Sequence, residues 1–183
     1  MIEMTIDNVR VSPTNDRRVV ILKERAGERY LPIWIGNTEA NAIAAKLQRV
    51  TAHRPMSHDL LCLVIQALGG RVDCVSLTEL RGETFYAKIV LNVRGGQTEV
   101  VDSRPSDALA VATKAGSPIY VEETILQRAG ILFDKETGEP TLPGKESEET
   151  GGKGVSEDEL RRMSAFRDFI SKLDLDDLDK HRS

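Results

Sequence analysis

Apolar and polar residues alternate along the first eleven positions, with the period of two that is typical of a half-buried β-strand. The apolar residues fall on even positions from Ile2 to Ile6 and on odd positions from Val9 to Val11. The change of phase at Asn8 predicts one extra residue in the strand, which is a β-bulge.

Two further apolar runs follow, "RVVILKE" at 18–24 and "RYLPIWI" at 29–35. The segment that joins them contains Gly27, which favours a hairpin. Pro32 cannot donate a ladder hydrogen bond, so we expect the second strand to lie at a sheet edge or to be irregular.

The period changes to that of a helix in three places, at 37–50, at about 57–68 and from 105 to about 115. The side chains expected to cap these helices are Asn37 or Thr38, Ser57, and Ser103 or Ser106. In the second helix, five large apolar residues share one face, which predicts that this helix is well buried. They are Leu60, Leu61, Val64, Ile65 and Leu68.

Strand patterns continue between and after these helices. "RVDCVSLTEL" and "TFYAKIVLNV" are joined by "RGE", "QTEVVD" leads into the third helix, and "PIYV" supplies a final short strand. The pattern therefore predicts an α+β body at 1–133.

The rest of the chain has a different composition. Residues 134–155 are charged, rich in Gly and Pro and nearly free of large apolar side chains, which predicts a flexible acidic linker. Residues 156–183 are expected to form a helical tail with an amphipathic stripe at Leu160, Met163, Phe166, Ile170 and Leu173.

The net charge of −4 is unevenly distributed. Residues 1–133 carry 16 Lys and Arg against 15 Asp and Glu, whereas residues 134–183 carry 9 against 14. Neither part has the strongly basic balance that is typical of nucleic-acid-binding proteins.

No apolar run is long enough to span a membrane, and the first ten residues lack the basic and then apolar pattern of a signal peptide. Cys62 and Cys74 do not form a CxxC motif, and two cysteines provide no disulfide framework. We therefore expect a cytoplasmic protein with reduced thiols and no membrane association.

Several catalytic signatures are absent from the sequence. It contains no GxxxxGK[ST], GxGxxG, HExxH or GxSxG motif and no zinc-type spacing of Cys and His. The commonest nucleotide-binding, metalloprotease and serine-hydrolase functions are thereby disfavoured.

The segment "RPMSHDLL" at 54–61 places Ser57, His58 and Asp59 in succession. Adjacent helical side chains point about 100° apart, so these three cannot form a hydrogen-bonded triad. A structural interpretation, with Ser57 as the cap and Asp59 in the first turn, is favoured for these residues taken alone.

The segment "DSRPSDALA" at 102–110 carries more polar residues than one helix start requires. Pro105 suits the first helical position, and Asp107 lies near the positive end of the helix dipole. The carboxylates beyond those needed for the helix start could coordinate a divalent cation, and the guanidinium of Arg104 could bind a phosphate. Arg104 could equally pair with Asp102 or Asp107, and composition alone leaves both interpretations open.

The two segments share the order Arg-Pro, then serine and aspartate, then an apolar helix. If both helix starts faced one cleft, their charged residues would converge as metal-assisted phosphodiester cleavage requires. Glu39, in "IWIGNTEA", is a third acidic residue in a first helical turn. Trp34 is interpreted as a core or interface residue and not as a base-stacking platform.

Six segments in this order resemble the bifunctional nuclease domain family over about residues 1–133. They are "LPIWIGNTEANAIA", "RPMSHDLL", "ALGGRV", "TFYAKI", "DSRPSDALAVA" and "SPIYV". The resemblance implies an α+β fold with a twisted mixed β-sheet and packed helices, assembly into a homo-oligomer (dimer or higher), and nuclease action on RNA and DNA.

The first hypothesis is a hydrolase, a nuclease of low sequence specificity assisted by Mg²⁺ or Mn²⁺. The residues expected to carry it divide by role: catalysis by His58, Asp59 and Asp107, substrate binding by Arg54, Arg104 and Ser106, and metal binding by Asp102, Asp107 and Glu39. The alternative is a non-enzymatic oligomeric binding or regulatory module, in which these residues only start helices.

Overall fold

The computed structural model describes residues 1–11, 17–50, 52–133 and 140–141. The strands are β1 (Ile2–Val11), β2 (Arg18–Glu24), β3 (Tyr30–Ile35), β4 (Arg71–Arg81), β5 (Thr84–Asn92), β6 (Thr98–Ser103), β7 (Ile119–Val121), β8 (Leu132–Phe133) and β9 (Pro140–Thr141). The helices are α1 (Asn37–Leu47), α2 (Ser57–Ala67), α3 (Pro105–Ala115) and α4 (Glu123–Ala129). The predicted tail at 156–183 and, β9 apart, the predicted linker at 134–155 lie outside the described residues.

Seven strands form one mixed sheet in the order β3-β2-β1-β7-β4-β5-β6. Only β4 and β7 run parallel among these neighbours, and the other pairs are antiparallel. A separate two-stranded sheet joins β8 to β9. The predicted α+β class and mixed sheet are therefore confirmed for the described residues.

The bulge near Asn8 and the edge position of Pro32 fall where the sequence predicts them, whereas two register shifts of β4 on β5 were not predicted. The register of β1 on β2 shifts between Ile6 and Asn8, which confirms the bulge. Pro32 lies in β3, an edge strand, so its missing N–H interrupts no interior ladder. Gly82, with φ of 57°, occupies the tight turn between β4 and β5.

The central helix of the fold is α3, which packs against α1, α2, β4 and β5. Five consecutive residues of this helix, Ala108 to Ala112, are buried. Three of them are alanines, whose small side chains let the neighbouring elements approach closely. The large apolar residues that complete this core are fully buried, among them Met4, Leu22, Leu31, Ile43, Leu77, Leu109, Ile125 and Leu126.

The prediction that α2 is well buried is wrong. His58 is the one buried residue of this helix, and most of its leucines are exposed. The side of the helix that carries His58 and Cys62 faces α3, where Cys62 Sγ lies 4.0 Å from the carbonyl oxygen of Val111. The leucines lie on the opposite side, where no described element covers them.

The predicted helix caps are also wrong. The residues that precede the helices are Gly36, Met56 and Arg104, and none of them makes a side-chain cap hydrogen bond. Pro105 does occupy the first position of α3, as expected. The physical reason is that each helix instead has an acidic residue at its third position. The negative charge of this residue interacts favourably with the free backbone N–H groups of the first turn.

A paired network fixes the β2–β3 hairpin to α4. Arg29 donates to both carboxylate oxygens of Glu24, at 2.8 and 3.0 Å, and to both oxygens of Glu123, at 2.7 and 3.2 Å. The Arg29 side chain is only 20% exposed and that of Glu24 only 13%, so water screens their interaction weakly.

We expect Arg29→Met to lower the free energy of unfolding by roughly 1–3 kcal/mol, because it leaves the Glu24 carboxylate without its partner in a largely buried position. Urea unfolding monitored by circular dichroism measures this. Arg29→Lys is the matched control: it keeps the charge but loses the fork that reaches two carboxylates, so we expect an intermediate loss. Equal stability of all three proteins would contradict the assignment.

Candidate functional site

Three helices begin side by side on one face of the sheet, and each has an acidic residue at its third position. These residues are Glu39 in α1, Asp59 in α2 and Asp107 in α3. Because α3 packs against both α1 and α2, its first turn can contact residues from the first turns of both neighbours. Four such side chains make contact, and we call Glu39, His58, Arg104 and Asp107 the helix-start cluster.

Arg104 holds two carboxylates of this cluster together. Its Nε lies 2.7 Å from Asp107 Oδ2, and its Nη2 lies 3.1 Å from Asp107 Oδ1 and 3.1 Å from Glu39 Oε1. Two parallel hydrogen bonds to one carboxylate give the strong fork geometry that is specific to arginine. The Arg104 side chain is nonetheless 71% exposed, so the guanidinium remains accessible from solvent.

Glu39 contributes a largely buried carboxylate to the cluster. Its side chain is 12% exposed, and its carboxylate folds back against Gly36, the residue that precedes α1. A Cβ atom at Gly36 would overlap with Glu39 Oε2. The backbone of Gly36, with φ of −70° and ψ of 159°, is one that any residue adopts, so a larger residue here would have to displace only the end of the flexible Glu39 side chain.

His58 joins the first turn of α2 to that of α3. Its Nε2 lies 3.3 Å from Asp107 Oδ1, and the imidazole is nearly buried. Burial by itself raises the pKa of Asp107, but hydrogen bonds from Arg104 and His58 outweigh burial and hold that pKa below its usual value. Asp107 is therefore an ionised acceptor that both orients Arg104 and fixes the histidine ring.

Asp59 belongs to a different pair. Its Oδ2 accepts the backbone N–H of Met56 at 3.0 Å, and its Oδ1 lies 3.0 Å from Lys114 Nζ. Burial raises the pKa of Asp59, but the hydrogen bonds from Lys114 and Met56 outweigh it and lower the pKa overall. Although His58 and Asp59 are neighbours in sequence, the structure directs them to different residues of α3, as the helical geometry predicts.

The remaining candidates lie outside the helix-start cluster. Arg54 is exposed in the segment that leads into α2, and Ser106 is partly exposed in the first turn of α3. Asp102 is exposed on β6, where it pairs in register with Lys88. The structure therefore brings four of the predicted residues into contact, and among the described residues no hydrogen bond or ion pair links Arg54, Asp59, Asp102 or Ser106 to them.

Within the described residues, no three Asp, Glu, His or Cys side chains are grouped so that they could hold a metal ion. Glu39 and Asp107 do converge on one cation, but that cation is the Arg104 guanidinium. The arrangement therefore presents an arginine anchored by two carboxylates beside a carboxylate–histidine pair, which can bind an anion and move a proton.

Two residues of the site, Gly36 and Lys114, are not singled out by the sequence patterns. Lys114 lies seven residues after Asp107, so the two side chains lie on the same side of α3, two turns apart. This spacing is a sequence signal that both residues face the same neighbouring helix. The Lys114 side chain is only 11% exposed, which makes it a nearly buried partner for Asp59. For Gly36 no sequence signal exists, because its role depends on the side-chain conformation of Glu39.

Comparisons with known proteins address the same region. The bifunctional nuclease domain matches residues 20–134, which contain every member of the helix-start cluster. The chain belongs to the bifunctional nuclease domain family. An uncharacterised protein of Mycobacterium tuberculosis is 38% identical over 169 residues, which cover 92% of this chain and 94% of that protein.

Plant members of the family are more distant. Bifunctional nuclease 1 of Oryza sativa is 25% identical over 126 residues, and bifunctional nuclease 1 of Arabidopsis thaliana is 26% identical over 132 residues. The matches cover 67% and 71% of this chain but only 38% and 40% of the plant proteins. The chain thus corresponds to a minor part of each plant protein.

We expect Gly36→Ala to lower the free energy of unfolding by at most about 1 kcal/mol, because the new Cβ moves the end of the flexible Glu39 side chain and weakens its ion pair with the exposed Arg104. Chemical denaturation measures this. In a Glu39→Ala background the same substitution should cost almost nothing, since the Gly36 backbone suits alanine. An equal cost in both backgrounds would show that Gly36 does not act through Glu39.

We expect Asp59→Asn to lower the free energy of unfolding by about 1–2 kcal/mol at pH 7, because Lys114 loses its charged partner. The pKa of Asp59 is lowered in the folded state, so its contribution is complete above the unfolded pKa of about 4 and decreases as the pH falls below that value. Stability curves of both proteins from pH 7 to 2.5 should therefore converge in acid. A gap that is independent of pH would contradict the ion pair.

Proposed function

We propose that the protein is a nuclease of low sequence specificity that hydrolyses phosphodiester bonds of RNA, DNA or both. Membership of the bifunctional nuclease domain family supports a nuclease in general terms. The single observation that carries the proposal for this chain is the contact of Arg104 with Glu39 and Asp107, beside the Asp107–His58 pair. The proposal gives each of these side chains a role.

Arg104 is the proposed phosphate-binding residue. Its Nε and Nη2 are used by the carboxylates, whereas Nη1 has no hydrogen bond to any described residue. The side chain is exposed and its position is fixed by two anchors, so a phosphate oxygen can bind Nη1 without reordering the arginine. Arg54 and Ser106, which lie near the starts of α2 and α3, are proposed as further substrate contacts.

His58 is the proposed general base or acid. With the Nε2 proton directed at Asp107, the Nδ1 atom is left as the acceptor for a proton from water. Asp107 fixes the ring orientation and stabilises the imidazolium that forms, as a carboxylate does in hydrolase triads. Asp59 is proposed as a positioning residue for His58. Its contacts with Met56 and Lys114 fix the start of α2, which carries His58.

The charge of the cluster supports a role for a divalent cation. Glu39 and Asp107 contribute two negative charges to the cluster against the single positive charge of Arg104, so added positive charge would strengthen its attraction for a phosphodiester. Their carboxylate oxygens are the ligands that Mg²⁺ and Mn²⁺ prefer. We propose that Glu39 and Asp107 also hold such an ion while they anchor Arg104, with Asp102 on β6 as a further candidate ligand. A bound ion would supply positive charge for the scissile phosphate.

Three further statements belong to the proposal. The near-neutral body implies that affinity for a polyanion is supplied locally and not by the net charge. A cytoplasmic location is proposed because Cys62 and Cys74 are both free thiols, as is usual in a reducing compartment. Assembly into a homo-oligomer is favoured by the exposed apolar side of α2.

A non-enzymatic binding or regulatory module is the alternative, and one observation favours it. All three acidic residues at the helix starts have a structural role, because each lies in the first turn of its helix, where it complements the helix dipole, and each pairs with a nearly buried or anchored side chain. Under this alternative the cluster stabilises the fold and cleaves nothing.

We expect Asp107→Asn to reduce kcat/KM for a fluorescent oligonucleotide by at least about 100-fold, because it removes the orienting partner of His58 and the anchor of Arg104. Single-turnover cleavage of single-stranded RNA and DNA measures this, with circular dichroism to confirm folding. Asp73→Asn is the matched control, since Asp73 is an exposed acidic residue that pairs with Arg71 on β4. Equal cleavage by the wild type and Asp107→Asn preparations would indicate a contaminating nuclease and contradict the proposal.

We expect Mn²⁺ titration calorimetry to detect one site in the wild type and none in a Glu39→Gln, Asp107→Asn double variant. This readout is independent of activity. Addition of a chelator should abolish wild-type cleavage and leave the thermal midpoint nearly unchanged. Cleavage that survives the chelator in a metal-free preparation would contradict metal assistance while leaving the roles of Arg104 and His58 intact.

A further inference from the structure

The longest stretch of the sequence without an acidic residue runs from α1 to the start of α2. Residues 40–58 contain no Asp or Glu, but they contain Lys46, Arg49 and Arg54 and two of the three histidines of the chain. We call these three basic residues the basic arm. The body of the chain is nearly neutral as a whole, so the arm concentrates positive charge on one part of its surface.

The positive charges of the basic arm are not neutralised by neighbouring carboxylates. Lys46, Arg49 and Arg54 are exposed, and none of them makes an ion pair or a hydrogen bond through its side chain with any described residue. Six other basic side chains of the described chain do pair with carboxylates. They are Arg25, Arg29, Arg71, Arg81, Arg104 and Lys114. An anion can therefore bind the arm without displacing an acidic partner.

Arg49 has a backbone conformation that is unfavourable for its side chain. Its φ is 56°, and among the described residues it alone has a positive φ without being a glycine. The N–H of Arg49 donates to the carbonyl oxygen of Lys46 at 3.1 Å. The N–H of Val50 donates to that of Ala45 at 2.8 Å. These two bonds form the Schellman motif, whose left-handed position usually holds glycine, so an arginine is kept here at a cost to stability.

The basic arm extends from the helix-start cluster to the far end of α1. Lys46 lies seven residues after Glu39, so the two lie on the same side of α1, about 10 Å apart along the axis. Arg49 follows the end of that helix. Because α1 and α2 both begin beside α3, the connection has to return toward the cluster, and Arg54 lies three residues before α2 begins.

We propose that Lys46 and Arg49 bind backbone phosphates of a single nucleic-acid strand at a distance from the bond that is cut. A stacked strand rises roughly 3.4 Å per nucleotide, so Lys46 lies about three nucleotides from the cluster and Arg49 about four. The substrate class is therefore a polynucleotide and not a mono- or dinucleotide. The proposal rests on the proposed function only for the position of the cut, since phosphate binding by the arm does not require cleavage.

A purely structural role for these residues is the competing explanation, because cations at the end of a helix complement its dipole. The double variant Lys46→Gln, Arg49→Gly separates the two explanations. It removes two positive charges, and the second substitution introduces the residue that a φ of 56° favours. The urea midpoint of this arm variant should therefore equal or exceed that of the wild type, even though its affinity for nucleic acid falls.

Fluorescence anisotropy of a labelled single-stranded oligonucleotide of about 12 nucleotides, with the full chain in chelator, measures this affinity at several salt concentrations. The arm variant should bind at least about 10-fold more weakly. Its slope of log K against log salt should be smaller by about 1.4, since each phosphate contact on a single strand contributes about 0.7. The matched control is Arg71→Gln, Arg81→Gln, which removes two exposed cations that already pair with Asp73 and Glu79.

The control should bind as the wild type does. A wild type that does not bind the oligonucleotide would overturn the proposal, and so would an unchanged affinity of the arm variant. Equal weakening in the control would also overturn it, because the loss would then reflect total charge. A lowered urea midpoint of the arm variant would assign the two residues to the fold and contradict the proposal.

Cleavage assays distinguish this proposal from the proposed function. The arm variant should raise KM for the oligonucleotide with kcat unchanged, and it should cleave bis(p-nitrophenyl) phosphate as fast as the wild type, because that diester is too short to reach Lys46. An equal loss on both substrates would contradict a distant phosphate contact. Strand binding through the arm by a protein that cleaves nothing would support the present proposal and refute the nuclease.

Discussion

The Asp107 carboxylate is the interaction on which the site depends, because it connects the first turns of all three helices on one face of the sheet. Its two oxygens accept the Arg104 fork, and one of them also contacts His58 of α2. Arg104 in turn reaches Glu39 of α1. Removal of this one carboxylate would leave a guanidinium with a single anchor and a nearly buried histidine without its partner.

Packing of α3 makes this connection possible. The helix lies between α1 and α2 on β4 and β5, and its run of small buried residues fixes how closely its neighbours approach. The same packing gives two residues that are adjacent in the sequence different partners on α3, since it directs His58 to Asp107 and Asp59 to Lys114. The site is therefore a property of the three-helix arrangement and not of any one motif.

Sequence patterns predicted most of the fold and part of the site. The period and phase of the apolar residues located the strands and the bulge near Asn8, and the missing N–H of Pro32 predicted an edge strand. These features follow from local geometry. The helix caps were predicted wrongly because Ser and Asn are intrinsic cappers, whereas acidic residues at the third positions compensate these helix starts. The burial of α2 was predicted wrongly because periodicity identifies an apolar face but not the molecule that covers it. The role of Gly36 depends on the side-chain conformation of Glu39, and that of Lys114 depends on a partner in another helix, so sequence patterns did not single out either residue.

The most direct test of the account is a double-mutant cycle on kcat/KM for oligonucleotide cleavage, with Arg104→Ala, Asp107→Asn and the combination of both. If the helix-start cluster acts as one unit, the combined variant should be no slower than the slower single variant, since each substitution already disables the unit. Strictly multiplicative losses would show that Arg104 and Asp107 act independently, and cleavage that persists in the combined variant would show that the active site lies elsewhere.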